Sequence, residues 1–585
     1  MLRILMLLGL LSMAWTCNAA VFVPPETFQP PITKAAATKA QLRLPISSAT
    51  TRTAKAQSLG SKPNAYRLPS LSSNEQQRLQ QTDNSGYKAY RIGVGRELPT
   101  SLKQVVDLNQ WTWTPVVGGQ AAHFTLSSTG ATRLRAQLQL GNWPQGVELR
   151  VFSPTDSSVV QMLNTSAYSM LWTETMAGDS LGLELFVPDA VTISEIEFRI
   201  LQLSHLVLDP SNANLKATVT TDPALSCLVD IKCDTAEWQD TGQAVARYVF
   251  TEQDGNSFLC SGTLLADRDT STQIPYFLTA AHCVNNDYAA SNMEFYWMYQ
   301  STTCGGADAT YSQTTGGAVL HATDGNLDST LVELKNFPPL GVTLAGWTTT
   351  SLSSAQAVTG IHHPQGYPKK ISQGQFMGRV KVTPTSNGGY MFTSDPNGAY
   401  SKVQWGSGVT APGSSGSGIW VKQNGIAYLN GTLLGGSSSC TTPTAPDEYS
   451  RLELFYPSIK AWLDTPAIEP SFSLLNPATK PNALVDGVII ERYLAGKRGS
   501  ALTVGVVNET LDTLTLEKRL SAAQSILDID ADGSADTVHD AVLLNRYLLG
   551  LRGNSLISNL NLAKSGRNTA ASIESYLQSQ LTKTP

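Results

Sequence analysis

Three residues with complementary chemistry follow one another along the chain at wide spacing. His282 closes the apolar run 278–281, Asp328 opens an alternating apolar run, and Ser415 lies in the Gly/Ser-rich segment 413–418. A serine hydroxyl becomes a nucleophile when a histidine takes its proton and a carboxylate orients that histidine. The set therefore predicts nucleophilic attack by Ser415, with His282 as the base and Asp328 as the orienting group.

Two members of this set have rival interpretations. The Gly/Ser-rich segment, taken alone, is also typical of a flexible linker. Asp324 lies close to Asp328 in the sequence, but Gly325 and Asn326 predict a turn directly after it. Because Asp328 leads into an apolar strand, we favour Asp328 as the orienting carboxylate.

Short strands and turns must position these residues. Strands are predicted at 246–250, 258–265 and 294–299, and a short helix is predicted at 456–463, where Ile459 and Leu463 share a face. Many short strands separated by turns are typical of packed β-barrels. We therefore expect a mainly β protein around the three residues.

Seven stretches around these residues resemble the bacterial lysyl endopeptidases, a branch of the trypsin-like serine proteases. They are 226–233, 260–264, 277–283, 328–334, 360–364, 409–417 and 435–440. The resemblance spans about residues 227–463. It implies a trypsin-like double β-barrel and a serine endopeptidase that forms an acyl-enzyme, with protein or peptide substrates and no cofactor for catalysis. It also selects Ser415 over Ser414 and Ser417 as the nucleophile.

The resemblance extends to the groups around the nucleophile. The amides of Gly413 and Ser415 are expected to form an oxyanion hole, which stabilises negative charge on the substrate carbonyl oxygen. Ser414 stands where trypsin-like zymogens have an Asp that pairs with a newly cut amino terminus. We therefore expect activation to proceed by removal of a pro-region.

Substrate choice is expected to depend on Asp447. A pocket Asp follows the last cysteine in lysyl endopeptidases, and Asp447 matches it, with Gly435 as a second substrate-binding residue. A buried carboxylate favours a basic side chain before the cut, so cleavage after lysine is expected. Leu434 departs from the family, which usually has His there. Two alternatives stay open, namely glutamyl or broad trypsin-like specificity, and a solvent-exposed loop that carries Asp447 and Glu448.

The seven cysteines comprise Cys17 in the N-terminal segment and six others, which can pair in fifteen ways. Zinc thiolates are disfavoured because no Cys-x-x-Cys pair is present. The adjacent His362 and His363 point to opposite faces of a strand, so structural roles are favoured over a shared metal ion. The family resemblance implies the disulfides Cys227–Cys440, Cys233–Cys304 and Cys260–Cys283.

The N-terminal part is predicted to precede the protease as a pro-region. Residues 1–19 have the basic and apolar runs of a signal peptide, although Cys17 leaves lipid attachment as an alternative. Residues 20–84 are expected to be mobile, and the alternating pattern of 85–216 predicts a β-sandwich. Lys216 is a possible self-cleavage point. The alternative role is a permanent adhesive β-domain.

The protease domain is predicted at 217–465 and a linker at 466–481. The last part, 482–585, contains a repeat in which 485–499 matches 539–553. Before the second copy, 528–536 has the alternating acids and central glycine of an EF-hand calcium loop. The expected Ca²⁺ ligands are Asp528, Asp530, Asp532, Ser534, Asp536 and Asp540.

This small α-helical tail resembles dockerin modules, which implies a possible protein partner. The first copy lacks the carboxylates, so one ion rather than two is expected. The alternative is an Asp/Gly-rich turn that caps a helix without metal.

Size and charge limit the remaining function classes. A chain of 585 residues is expected to form three or more folded units. A net charge of −5 offers no electrostatic surface for nucleic acid or anionic membrane, and no later stretch predicts a membrane span. We therefore expect a secreted endopeptidase, extracellular or periplasmic. The alternatives are a non-catalytic trypsin homologue that binds other proteins and an adhesive surface protein.

Overall fold

The computed structural model describes most of the chain. The residues described are 20–28, 64–80, 89–154, 156–163, 170–208, 226–269, 273–306, 311–385, 390–464, 468–476, 479–495, 497, 499–506, 513–563 and 565–581. The predicted signal peptide and Lys216 lie outside these ranges. Within them the protein is mainly β, which confirms the predicted class, and no helix there is long and apolar enough to span a membrane.

Thirteen strands and two helices occupy the N-terminal region. The strands are β1 Phe22–Val23, β2 Glu26–Thr27, β3 Asn64–Leu68, β4 Tyr90–Arg96, β5 Trp113–Val116, β6 Gly119–Ser128, β7 Arg133–Leu140, β8 Glu148–Ser153, β9 Asp156–Met162, β10 Met170–Trp172, β11 Met176–Ala177, β12 Ser180–Pro188 and β13 Phe198–Leu206. The helices are α1 Ser73–Gln80 and α2 Thr100–Lys103.

Two sheets of this region pack around one core. One has the order β3-β6-β12-β8-β9, and the other begins β10-β7-β13-β4. Alternate residues of a strand point to one face, so Leu134, Ala136 and Leu138 of β7 share a buried cluster with Leu149 of β8 and Leu183 of β12. The sheets occupy the range predicted as a β-sandwich, and β3 extends it towards the N-terminus.

The expected mobility of residues 20–84 does not hold for the described parts of that segment. Strands β1, β2 and β3 each pair with a strand of a folded region. Val23 and Phe28 are buried. The segment is poor in apolar residues, but backbone pairing at a sheet edge together with two well-placed apolar side chains is sufficient to dock it.

Seventeen strands and three helices form the described middle of the chain. The strands are β14 Val229–Asp230, β15 Val245–Thr251, β16 Ser257–Leu265, β17 Tyr276–Thr279, β18 Glu294–Trp297, β19 Ser312–Thr314, β20 Ala318–Asp324, β21 Ser329–Leu334, β22 Thr343–Leu344, β23 Trp347–Thr348, β24 Ala357–His362, β25 Lys370–Pro384, β26 Tyr390–Ser394, β27 Tyr400–Ser407, β28 Gly418–Gln423, β29 Ile426–Gly436 and β30 Asp447–Ser450. The helices are α3 Ala236–Thr241, α4 Asp287–Ser291 and α5 Leu452–Leu463.

These strands belong mainly to two sheets. One continues the second N-terminal sheet, because β4 pairs with β16, and runs on through β15, β18 and β19, with β17, β20 and β21 attached to it. The other runs β1-β23-β29-β28-β24-β25-β27-β30. Side chains of both sheets meet in one large buried cluster. The N-terminal region is therefore joined to the middle of the chain by a shared sheet.

Helices form the described C-terminal part. They are the π-helical turn Ala483–Gly487, α6 Val488–Leu494, α7 Thr513–Leu527, α8 Asp540–Leu548, α9 Asn554–Ile557 and α10 Ala570–Leu581. The predicted linker 466–481 is wrong in part, since Phe472 and Leu474 are buried in the same core as these helices. Prolines around them prevent regular helix, but the apolar side chains still pack.

Candidate active site

His282 and Asp328 form a buried hydrogen-bonded pair. Strands β17 and β21, which precede His282 and follow Asp328, are antiparallel neighbours with Thr279 opposite Thr330. His282 Nδ1 donates to Asp328 Oδ2 at 2.8 Å, and the main-chain amide of His282 donates to Asp328 Oδ1 at 2.8 Å. Because Nδ1 carries the proton in this bond, Nε2 is the basic nitrogen of the neutral ring.

The loop that carries Ser415 lies against the segment that leads to His282. The Ser415 carbonyl accepts a hydrogen bond from Ser261 N on β16 at 2.9 Å, and Gly416 N donates to Leu433 O on β29 at 2.9 Å. A Cβ at Gly416, where φ is 78°, would lie only 2.2 Å from Thr279 Oγ1. Ser415 Oγ is buried, and no partner for it lies among the described residues.

Gly413 gives the same loop a backbone that other residues rarely adopt. Its φ is 92°, and an added Cβ would lie 2.9 Å from both His363 O and Gln365 N. Its carbonyl accepts a hydrogen bond from Ser261 Oγ at 2.8 Å. The main-chain hydrogen bonds described for this loop do not use the amides of Gly413 and Ser415. These two amides are therefore the candidate donors to a substrate oxyanion.

Sequence analysis did not predict a buried hydrogen-bond chain at Ser414, the residue before the candidate nucleophile. His362 Nδ1 lies 2.8 Å from Ser414 Oγ, and His362 Nε2 lies 3.1 Å from Ser372 Oγ. Ser414 Oγ also accepts from Ala411 N at 3.2 Å. Ser414 itself was the available signal, because a loop without the usual Asp needs another partner to hold it.

His363 has a different environment from its neighbour. Its Nδ1 lies 3.0 Å from Tyr367 O, and its ring stacks on Tyr299. Burial, followed by the nearby charges of Lys369 and Arg247, lowers the pKa of His363 well below its usual value. His363 is therefore neutral, and its contacts indicate a structural role.

Asp447 is held by neutral donors at the start of β30. Its Oδ2 accepts from Trp405 Nε1 at 2.7 Å, from Thr410 Oγ1 at 2.6 Å and from Ser438 Oγ at 2.6 Å. Its Oδ1 accepts from Ser438 N at 3.2 Å. Donors of this kind stabilise and orient a carboxylate in its charged form.

The residues beside Asp447 exclude one sequence interpretation. Asp447 and Glu448 are 0% and 2% exposed and lie in a strand, so the alternative of two solvated acids on a loop is wrong. Gly436 and Gly435 pair with them across β29 and β30. Leu434, the next residue of β29, is buried against Val380 and Tyr400. An apolar surface therefore replaces the His that the family resemblance implies at this position.

Three disulfides fasten the segments that carry the site. They join Cys227 to Cys440, Cys233 to Cys304 and Cys260 to Cys283, with Cα–Cα distances of 5.3, 4.5 and 6.6 Å. These are the pairs that the family resemblance implies. The last pair ties β16 to the residue after His282, which restricts the movement of the candidate base.

Four of the expected calcium ligands converge in the C-terminal part. Ligand oxygens of Asp528, Asp530 and Asp540 lie within 4.8 Å of one another, and Asp530, Asp532 and His539 form a second such group. Like charges so close together favour a bound cation. This geometry fits the donor set expected for Ca²⁺.

Two of the expected ligands have other contacts in the structure. Asp536 Oδ1 accepts hydrogen bonds from the amides of Val538 and His539 at 2.9 and 2.6 Å, which places it at the start of the second-copy helix. Asp540 accepts from three loop amides, including Ile529 N at 2.6 Å. Burial raises the pKa of Asp540 to about 8. The main-chain amide of Ser534 donates a hydrogen bond to Asp532 Oδ1 at 2.9 Å.

A mainly β fold, in which the loop of a buried serine packs against the segment leading to a buried His–Asp pair, has the features of a serine protease. Family models confirm the class: the lysyl endopeptidase N-terminal domain matches residues 67–207, and the lysyl endopeptidase C-terminal domain matches 221–450. A lysyl endopeptidase of Pseudomonas aeruginosa is 33% identical over 371 residues, which cover 61% of this chain and 77% of that protein. The chain belongs to the lysyl endopeptidase family.

Solved structures of other proteases are more distant. The active form of the Rv3671c protease of Mycobacterium tuberculosis is 12% identical, with a TM-score of 0.28, over 40% of this chain and 86% of that one. Protease Anisep of Arthrobacter nicotinovorans is 16% identical, with a TM-score of 0.27, over 38% and 96%. These scores are too low to support a conclusion about mechanism or substrate.

Proposed function

We propose that this protein is a secreted serine endopeptidase that cleaves peptide bonds after lysine through an acyl-enzyme. The observation that carries the proposal is the double hydrogen bond from His282 to Asp328, with the loop of the buried Ser415 packed against residues 279 and 280 just before His282. Such a pair fixes the tautomer in which the far ring nitrogen takes a proton. A trypsin-like double β-barrel is the fold that we propose for the domain that holds it.

The reaction proceeds in two halves. Ser415 Oγ attacks the substrate carbonyl carbon while its proton moves to His282 Nε2. Negative charge on the carbonyl oxygen is stabilised by the amides of Gly413 and Ser415, and loss of one such donor typically costs about 3 kcal/mol. The C–N bond then breaks, and the protonated His282 gives its proton to the leaving amine. Water, activated by the same ring, hydrolyses the acyl ester and regenerates Ser415.

Lysine specificity follows from the environment of Asp447. Neutral donors from Trp405, Thr410 and Ser438 orient its carboxylate without cancelling its charge. A buried carboxylate is costly unless a cation approaches it, so a substrate ammonium is favoured and an acidic side chain is repelled. Gly435, which lacks a side chain, lies opposite Glu448, the residue after Asp447, and is proposed to let the substrate backbone approach.

The N-terminal region is proposed to be a pro-region that is removed on maturation. It shares a sheet with the protease through β4 and β16, and buried Arg135 crosses the boundary to Glu294 at 3.3 Å. Ser414 is held by His362, so the nucleophile loop does not require a new amino terminus to be inserted behind it. Activation by cleavage between 208 and 226 is consistent with both observations.

A second function is proposed for the C-terminal part. The cluster of Asp528, Asp530, Asp532 and Asp540 would hold one Ca²⁺ ion, which supplies positive charge that offsets their mutual repulsion. As in dockerin modules, which the tail resembles, the ion would order the loop before α8, and the tail would have a protein partner.

Labelling of the nucleophile tests the proposed function. Diisopropyl fluorophosphate is expected to modify Ser415, and Ser415→Ala is expected to abolish labelling and peptidase activity together. Matched Ser414→Ala and Ser417→Ala variants control for labelling of the neighbouring hydroxyls. Normal turnover by Ser415→Ala, or a label on either neighbour in the wild type, contradicts the assignment.

A further inference from the structure

Residues 21–28, which precede the N-terminal sandwich in the sequence, pair with strands of the protease. We call residues 21–28 the strap. Phe22 lies opposite Thr348 across β1 and β23, and Thr27 lies opposite Thr343 across β2 and β22. The bonds continue at both ends, from Thr349 N to Val21 O and from Phe28 N to Val342 O, each at 3.1 Å.

Two side chains of the strap belong to the protease core. Val23 and Phe28 are 2% and 1% exposed and lie in the same cluster as Trp347. The backbone of the strap also comes very close to the protease, since a Cβ at Gly346 would lie 2.6 Å from Pro25 N. The strap therefore occupies a fitted groove, which we call the connector groove and which consists of residues 342–349.

The connector groove lies between the two large sheets of the protease. Its Ala345 N donates to Leu264 O of β16 at 2.8 Å, and its Trp347 pairs with Leu429 of β29. The strap adds an outer strand to this link. Without it, the edge of the connector and the apolar groups under Val23 and Phe28 would face water.

The sequence around the strap suits a protease that cuts after lysine. Residues 20–33 contain no Lys or Arg, and Lys34 and Lys39 follow directly. Lysine-directed cleavage would separate the strap from the N-terminal sandwich and leave the strap itself intact. The strap also lies outside both matched family ranges, 67–207 and 221–450.

We propose that the strap stays in the connector groove after the N-terminal sandwich is removed, so that the mature enzyme consists of two chains, the protease and a short N-terminal peptide. The proposal rests on the proposed lysine cleavage and maturation. All the strap contacts named above are with protease residues, so departure of the sandwich removes none of them. The strap is therefore synthesised as part of the pro-region but remains a permanent part of the enzyme.

The composition of the self-processed enzyme tests the proposal. The full chain is allowed to mature, small peptides are removed by gel filtration, and the enzyme is then denatured and analysed by mass spectrometry. One peptide per protease is expected, containing residues 21–28 and ending at Lys34 or Lys39. An active protease that lacks any such peptide overturns the proposal.

A second experiment tests retention of the strap independently of the lysine specificity of this enzyme. In full-length Ser415→Ala, a recognition sequence for an unrelated viral protease is placed within 29–63 and cut by that added protease. The strap peptide is expected to elute with the rest of the protein, whatever this enzyme cleaves. Its appearance in the small-peptide fraction contradicts the proposal without affecting the proposed lysine specificity.

Matched variants identify the contacts responsible. Val23→Asp places a charge in the core, and Thr27→Asp places the same charge at an exposed position of the strap. After the cut, Val23→Asp is expected to shorten the residence time of the strap at least tenfold relative to Thr27→Asp. Phe28→Ala, a milder change, is the second variant if Val23→Asp does not fold. Equal residence times in all variants overturn the assignment of the groove.

Discussion

Two buried carboxylates of the protease differ in what stabilises them. Glu294 of β18 faces the guanidinium of Arg135 from the N-terminal sandwich at 3.3 Å, and it accepts hydrogen bonds from Thr175 N and Oγ1 at 2.9 and 2.7 Å. Asp447 of β30 is equally buried but is held by an indole, two hydroxyls and an amide. Glu294 therefore has a cation from the same chain among its partners, whereas the hydrogen bonds named for Asp447 come from neutral groups.

The difference is our basis for proposing that Glu294 is a structural acid and Asp447 a recognition acid. Glu294 has its charge offset within the fold, so its contribution is to hold the sandwich on the protease. The neutral donors around Asp447 fix its position, and under the proposed specificity this carboxylate receives the ammonium of a substrate. Substitutions at the two sites should therefore affect different properties, activity in one case and domain association in the other.

The largest expected effect is on activity at Asp447. Asp447→Asn keeps the size and one acceptor oxygen but removes the charge, so kcat/KM for a lysine ester should fall about a thousandfold, equivalent to ~4 kcal/mol. Labelling of Ser415 by diisopropyl fluorophosphate should persist. If the variant retains lysine turnover within a few fold of the wild type, Asp447 is not the recognition acid.

A substitution at the Glu294 site should weaken the association of the N-terminal sandwich with the protease and leave the peptidase activity unchanged. Arg135→Met leaves Glu294 buried without its cation, which typically costs about 3 kcal/mol. Denaturant unfolding of the unprocessed Ser415→Ala chain should reveal the loss, whereas the mature enzyme should keep its activity because it no longer contains Arg135. Arg199→Met, at a partly exposed position of β13, is the control. Equal stability of both variants would remove the distinction between the two acids.

The C-terminal part offers a third arrangement, in which carboxylates face one another. Calcium at 100 times its Kd should stabilise this part by about 2.7 kcal/mol relative to chelator, and Asp530→Asn should abolish the gain. Thermal unfolding of the full-length Ser415→Ala chain measures it.

Asp486 is the matched control for the calcium measurement. It accepts hydrogen bonds from Leu474 N and Asn482 N, as Asp540 does from Ile529 N and Asp536 N in the second copy. Asp486→Asn should therefore lower the melting temperature and preserve the calcium increment. Identical melting of the wild type with calcium and with chelator contradicts the metal site.

The smallest expected effect is a pH dependence at the sandwich boundary. Burial, with Glu294 as a further cause, raises the pKa of Glu174 from 4.5 to about 7, although a hydrogen bond from Thr315 opposes the shift. Because the folded protein binds this proton more tightly than the unfolded chain, the stabilisation is complete below pH 4.5 and is lost as pH rises through about 7.

Unfolding of the precursor at several pH values measures this effect. Its stability should fall by about 1–2 kcal/mol between pH 5 and pH 8 through this group. Glu174→Gln should flatten that part of the profile. An unchanged slope in the variant would show that another group is responsible.

Local sequence patterns carry more information about the candidate catalytic residues than about the packing around them. His282, Asp328 and Ser415 stand out because each lies at a strand end or in a Gly-rich turn, where a short motif identifies it. The hydrogen-bond chain from His362 to Ser414 joins residues 52 positions apart, so the Ser at position 414 signals a missing Asp but no local pattern identifies His362 as its partner. The donors to Asp447 at Trp405 and Thr410 were missed for the same reason.

Composition misled the predictions at two segments. Residues 20–84 and 466–481 have the Pro, Ala and polar content of mobile chain, but in their described parts a few apolar residues such as Val23, Phe28 and Leu474 are buried. Whether such residues are buried depends on a groove or core built by distant segments, which a single-sequence pattern does not contain. Strand pairing at the connector groove is an interaction of this kind.

The most direct test of the central claim is a digest of a denatured proteome by the mature enzyme, with the new peptide ends read by mass spectrometry. Ser415→Ala prepared in the same way gives the background. The proposed mechanism and the charge of Asp447 predict that lysine precedes the great majority of new cuts and that the variant makes none. Cleavage mainly after glutamate or large apolar residues would contradict the account, as would equal cleavage by Ser415→Ala.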